Sequence, residues 1–175
     1  MAGRSTGAIA LVLACVVARP ATAFELTSAA FPSGGTIPAR HTCDGPDLSP
    51  PLAWTAPPAG TAAFALVCED PDVPRGLWVH WVLWNIPATA AALPEGVKAD
   101  AALADGSRHG RNDFGKLGHN GPCPPPGAPH RYVFRLYALD AKPALAPGAT
   151  RQALLDALRG HVLGTAELTG RYGRP

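Results

Sequence analysis

Charge is scarce in this chain. Only 16% of its 175 residues are Asp, Glu, Lys or Arg, and 15 basic side chains stand against 13 acidic ones. No basic stripe emerges, which removes the electrostatic basis for binding nucleic acid. No apolar run approaches the ~18 residues that read as a membrane-spanning helix. The four cysteines form no C-x-x-C pair, so a zinc ribbon or thioredoxin-like site is not indicated. Beyond Ala23 there is neither a G-x-S-x-G elbow nor an H-E-x-x-H run, the usual signatures of a serine or zinc hydrolase. Internal repeats and interdomain linkers are also missing. What the chain does have is 47% hydrophobic residues, 20 prolines and 19 glycines. That composition suits one globular domain with a packed core and many loops.

The N-terminus reads as a secretory signal peptide over residues 1–23. Arg4 supplies a positive start, Gly7 to Val17 is a short apolar run, and Ala21-Thr22-Ala23 is a small-x-small cleavage site. The domain then spans 24–175, with equal numbers of basic and acidic residues once Arg4 and Arg19 are removed. The expected location is periplasmic or secreted. Val12-Leu13-Ala14 before Cys15 offers a lesser alternative, a lipoprotein anchor. Export implies an oxidising compartment. Of the remaining cysteines, Cys68 sits in the apolar run from Phe64 and reads as a buried thiol, while Cys43 and Cys123 lie in Pro/Gly-rich loops and are the expected disulfide pair.

Three segments read as principal strands: Thr61 to Asp70, Trp78 to Ile86 and His130 to Leu139. Alternation puts His80 on one face with Trp78, Val82, Trp84 and Ile86, and His130 on one face with Tyr132, Phe134 and Leu136. Shorter strands are expected at Phe24 to Leu26 and Leu52 to Trp54, and a last strand at His161 to Tyr172. One helix is expected, capped by Thr150, striped by Leu154, Leu155 and Leu158, and ended near Gly160. The long stretch Ala99 to Pro129 is too long for a plain connection and reads as a functional or mobile loop. The fold class is mainly β, a sandwich with a small helical addition.

Chemistry concentrates in two places. Asp70-Pro71-Asp72-Val73-Pro74 holds two carboxylates in a proline-stiffened turn at a strand end. It is either a capped turn or a site. His130 and Tyr132 share a face just after Gly121-Pro122-Cys123-Pro124-Pro125-Pro126-Gly127, a proline-rich rim. Imidazoles and a phenol can donate to phosphate oxygens, and backbone N–H groups near Gly121 can complete an anion cradle. Asp70 has the wrong charge for that role, so it either orients a histidine or accepts from a ligand amine. His80 reads either as a core histidine or as part of the site.

DPDVP, WVHWVLWNIP and GPCPPPGAPHRYVFRLYALD, in that order and spacing, resemble the phosphatidylethanolamine-binding protein family, in its bacterial and archaeal Raf-kinase-inhibitor-like branch. His41-Thr42-Cys43-Asp44-Gly45, Asn112-Asp113-Phe114-Gly115 and Gly160-His161-Val162-Leu163 resemble the same branch. The resemblance implies two packed β-sheets, the larger one central and antiparallel, with a short C-terminal helix. It implies a ligand pocket of Asp70, His80, Gly121, His130 and Tyr132, rimmed by Asp72, Pro74, Trp78 and Pro122. His119 stands where relatives commonly carry Tyr and is assigned to the mouth. The expected function is non-enzymatic binding of a small anionic or phosphorylated ligand such as a phosphoethanolamine-type headgroup, with no cofactor and no metal. Inhibition of a protease or kinase by protein contact is the alternative, and metal-dependent hydrolysis a lesser one.

Overall fold

The computed structural model describes residues 23–74 and 76–174. The expected leader, Cys15 included, lies outside these residues except for Ala23. Among the described residues no helix is long and apolar enough to cross a membrane.

The expected mainly β architecture is present. Strands β1 (Glu25–Thr27), β2 (Leu52–Thr55) and β5 (Ala92–Leu93) form a small sheet in the order β1-β2-β5. The central sheet contains β3 (Ala63–Asp70), β4 (Trp78–Pro87), β6 (Arg108–His109), β7 (His130–Leu139) and β8 (Val162–Tyr172), in the order β6-β4-β3-β7-β8. Neighbouring strands in both sheets run antiparallel. Helix α1 (Arg151–Ala157) lies between β7 and β8. The two shortest strands, β5 and β6, are too brief to show periodicity in sequence. β6 interrupts the stretch Ala99 to Pro129, which reads in sequence as one long loop too extended to be a plain connection.

Three layers result. One face of β3 and β7 presents Phe64, Leu66, Phe134 and Leu136 to the small sheet, where Leu26, Leu52 and Trp54 meet them. The opposite face presents Ala65 and Val67 to Leu154 and Leu158 of α1 and its C-cap. β3 is therefore buried on both faces, which is why its sequence is continuously apolar instead of alternating. Each fully buried Leu, Ile or Phe side chain contributes about 2–3 kcal/mol of transfer free energy. Glu69 is the exception on the helix side. It is 2% exposed, yet its carboxylate meets Arg135 from β7 and Arg151 from α1, so two guanidinium groups compensate its burial.

Strand β4 departs from strict alternation. Cys68 pairs with Trp81 and Glu69 with Val79, which leaves His80 as an extra residue. A second irregularity lies near Asn85, whose φ of 57° is in the left-handed region. Bulges of this kind re-aim side chains. Trp81, Leu83 and Ile86 consequently join the core under the small sheet, while Val82 and Trp84 join the helix side. The expectation that His80 shares a face with Val82, Trp84 and Ile86 is corrected: the bulge turns its ring toward Tyr132, 5.1 Å away centroid to centroid.

Candidate functional site

Three strand ends meet at one end of the central sheet. β3 finishes at Asp70, and its antiparallel neighbours β4 and β7 begin there with Trp78 and His130. Asp70 continues the Phe64, Leu66, Cys68 face and so points to the same side as Tyr132. The bulge brings His80 across β3 to join them. The result is a cleft of about 190 Å³ lined by Asp70, Trp78, His80, His130, Tyr132 and Phe114, with Val73, Pro74, Cys123, Pro124 and Pro125 closing its sides. That volume is small beside the few hundred Å³ typical of drug-sized ligands and suits a headgroup-sized one.

The hydrogen bonds define what each group can offer. Asp70 is 3% exposed, and each of its carboxylate oxygens has a partner within the protein: Oδ1 accepts from the Asp72 N–H at 2.8 Å, and Oδ2 lies 2.8 Å from His130 Nδ1. Of its two expected roles, the structure shows the orienting one. A carboxylate only accepts, so His130 Nδ1 carries the proton and Nε2 is left for the cleft. His80 is fixed in the same sense. Its Nδ1 lies 2.7 Å from the Asn120 carbonyl, which makes Nδ1 the donor and Nε2 the free atom. Burial lowers the His80 pKa, against a smaller opposing effect of the Asn120 carbonyl. The Tyr132 hydroxyl is buried and makes no hydrogen bond within 3.5 Å, with the Asp70 carboxylate as a charged neighbour. Burial first, then the nearby Asp70 charge, push its pKa well up, so it stays a protonated donor.

Trp78 and Phe114 form the mouth. Both are 38% exposed, they meet edge to face at 5.5 Å, and Phe114 also abuts the His80 ring. Cys123, Pro124 and Pro125 belong to the proline-rich run read from sequence as a rim, whereas Phe114 and Val73 were not singled out as lining residues. For Phe114 a signal existed, the Asn112-Asp113-Phe114-Gly115 run. Asn112 is its structural centre: buried, with Nδ2 at 2.9 Å from Asn120 Oδ1 and 3.1 Å from the Gly118 carbonyl, and Oδ1 accepting from the Phe114 and Lys116 N–H groups. It folds the long loop back onto β4 and sets the carbonyl that orients His80.

Several expected site residues lie elsewhere. The Gly121 N–H donates to Asp47 Oδ1 at 2.7 Å, so it is not free to cradle an anion. Gly121 is required there for packing, because a Cβ would fall 2.2 Å from the His41 carbonyl oxygen. Pro122 does not line the cleft, and its carbonyl accepts from the Cys43 N–H. Asp72 turns to Arg131, whose guanidinium draws its pKa down to about 2. His119 is not at the mouth. Asn112 pulls Gly118 and Asn120 against β4, and the His119 ring packs edge-on to Trp81 at 5.5 Å with both nitrogens buried and unpartnered. Pro74 and Trp78 do line the rim. Cys43 and Cys123 are disulfide-bonded, as expected, and Cys68 is a buried free thiol. That bond is compatible with an exported protein.

A two-sheet β protein whose central strand ends open into a small cleft floored by His and Tyr is a recognisable class. The chain belongs to the phosphatidylethanolamine-binding protein family, whose sequence model matches residues 27–173. It is 51% identical over 150 residues to a UPF0098 protein of Methanothermobacter thermautotrophicus, covering 86% of this chain and 99% of that protein. Among solved structures, a phosphatidylethanolamine-binding protein homologue from Chlamydia trachomatis superposes with a TM-score of 0.79 at 40% identity, covering 87% of this chain and 99% of the other. E. coli YbcL gives a TM-score of 0.81 at 35% identity, with the same coverage of both chains.

Proposed function

We propose that this chain is an exported, non-catalytic binding module for a small anionic ligand of the phosphoethanolamine-headgroup type. One observation carries the reading: the buried Tyr132 hydroxyl makes no hydrogen bond within 3.5 Å and shares the cleft with two imidazoles whose other nitrogens are already committed. A buried polar group without a partner is costly, and a ligand oxygen supplies the missing acceptor. The name of the family points the same way.

Neutral His80 and His130 would present bare acceptor nitrogens to the ligand. A phosphate oxygen is also an acceptor, so where it meets an imidazole nitrogen a proton must lie between them, carried by the ring or by the phosphate. Affinity for phosphoethanolamine therefore rises as pH falls through the neutral range. Calorimetric titration of the His130→Ala variant tests the assignment. The folded variant is expected to lose at least about tenfold in affinity, and to release no inorganic phosphate either before or after substitution. Unchanged affinity in a folded variant would refute the reading, and phosphate release by the parent protein would convert it to catalysis.

A further inference from the structure

The cleft's proline wall has few means of holding itself in place. Pro122, Pro124, Pro125 and Pro126 have no N–H to donate. The Gly121 N–H is held by Asp47 and the Pro122 carbonyl by the Cys43 N–H, and the next recorded backbone pairing is Pro126 with Arg174. Between those points the wall passes through Cys123, Pro124 and Pro125, the residues that line the cleft. Cys123 is bonded to Cys43, 80 residues away in sequence.

Cys43 stands on a firm post. Residues 39–41 form one 3-10 turn, the Thr42 and Gly45 N–H groups donate back to Ala39 and Thr42, and Leu48 donates to Arg40. The disulfide thus fastens a donor-poor wall to a self-supported loop. Both of its cysteines are exposed to solvent, whereas the third described cysteine, Cys68, is buried.

We propose that Cys43–Cys123 is a thiol–disulfide exchange site that gates the cleft: oxidised, it holds the wall in ligand-binding position, and reduced, it releases it. The gating role rests on the binding function proposed above. The reductant is a dithiol. Its thiolate attacks one sulfur of the pair, the S–S bond breaks, and a mixed disulfide forms while the displaced sulfur takes a proton. The dithiol's second sulfur then displaces the other cysteine. Two electrons pass to the protein, leaving Cys43 and Cys123 as thiols and the dithiol as a disulfide.

The test compares the full chain in oxidised form and after equilibration with excess dithiothreitol. Native alkylation is expected to label Cys43 and Cys123 only after reduction, and a pair that resists the dithiol overturns the proposal. Phosphoethanolamine is expected to bind the reduced form at least about tenfold more weakly, and Cys43→Ser/Cys123→Ser should match the reduced form without any reductant. Equal affinities overturn the gate and leave the binding function intact. If neither form binds the probe, the binding function falls, and amide hydrogen exchange decides the wall's dependence on the bond. Exchange at the wall amides Gly121, Cys123 and Gly127 that speeds up by a larger factor than in β3, β4 and β7, where the lower global stability acts alone, supports it. Unchanged exchange, or one common factor throughout, overturns it.

Discussion

His80, His109 and His119 are all held toward their neutral forms by burial, and His119 is brought down to about 3 with the neighbouring His80 adding to the effect. The sign of the consequence follows from proton counting. Below about pH 6.5 the unfolded chain binds protons at these rings that the folded chain refuses, so stability falls as pH drops through that value. Between about pH 6 and 5 each fully neutral ring accounts for about 1 kcal/mol per pH unit. Replacing His119 with Phe is expected to make the acid loss of stability shallower by about that amount, read from urea unfolding at several pH values. An unchanged slope would show that the ring is protonated in the folded protein. At this scale the sequence was informative about residue types and less so about their roles. Asp70, His130 and Tyr132 meet as their strand positions suggested. The Gly121 N–H and the His119 ring do not face the cleft, because Asp47 and Asn112, hydrogen-bonding across the loop, decide where they point.

Among the elements, α1 shows how local sequence and distant packing combine. Thr150 has extended backbone angles, and its hydroxyl accepts from the Ala153 N–H at 3.2 Å. Seven residues are too few for a helix to persist alone, so Leu154 and Leu158 must be buried against the central sheet. Thr150→Ala is expected to lower stability by about 1 kcal/mol in denaturant titration while leaving phosphoethanolamine affinity unchanged, since α1 packs on the face away from the cleft. A loss of affinity would show that the helix transmits strain to the site. β3, β7, β8 and the cap of α1 were legible because long apolar or alternating runs and a Thr before a leucine stripe are local signals. The bulge at His80 was not. It arises where β4 must match the register of β3 at Cys68 and Glu69, and nothing within β4 itself announces that mismatch.

For the whole molecule, the Cys43–Cys123 bond closes a long loop. Sequence separation is 80 residues, and a constraint of that length on the unfolded chain stabilises the native state by about 4 kcal/mol in the chain-entropy account. Domains of this size are commonly stable by only about 5–15 kcal/mol. Cys43→Ala/Cys123→Ala is therefore expected to remain folded at room temperature, with a urea midpoint well below that of the parent and an unchanged far-ultraviolet spectrum. A midpoint within error of the parent would mean that the loops are held together by other contacts. The sandwich itself follows from the two-sided burial of β3, with the small sheet on one face and α1 on the other. Composition pointed to a β-rich single domain, while the two-residue β5 and β6 emerged only from their pairing partners.

By itself the sequence determined the principal strands, the capped helix, the family, the disulfide partners and the cluster of Asp, His and Tyr at strand ends. The strands, the helix and the motifs rest on information close together in the chain, and the disulfide pair followed from the local surroundings of each cysteine, one in an apolar run and two in Pro/Gly-rich loops. Tertiary structure decided which nitrogen of each imidazole faces the cleft. It also turned Asp70 inward to His130 and sent Asp72 outward to Arg131. Those outcomes depend on hydrogen-bond partners up to 74 residues apart, as in the Asp47 to Gly121 contact, and on strand register. Such partners are chosen by the packed arrangement of the whole chain, where every buried donor must find an acceptor at once.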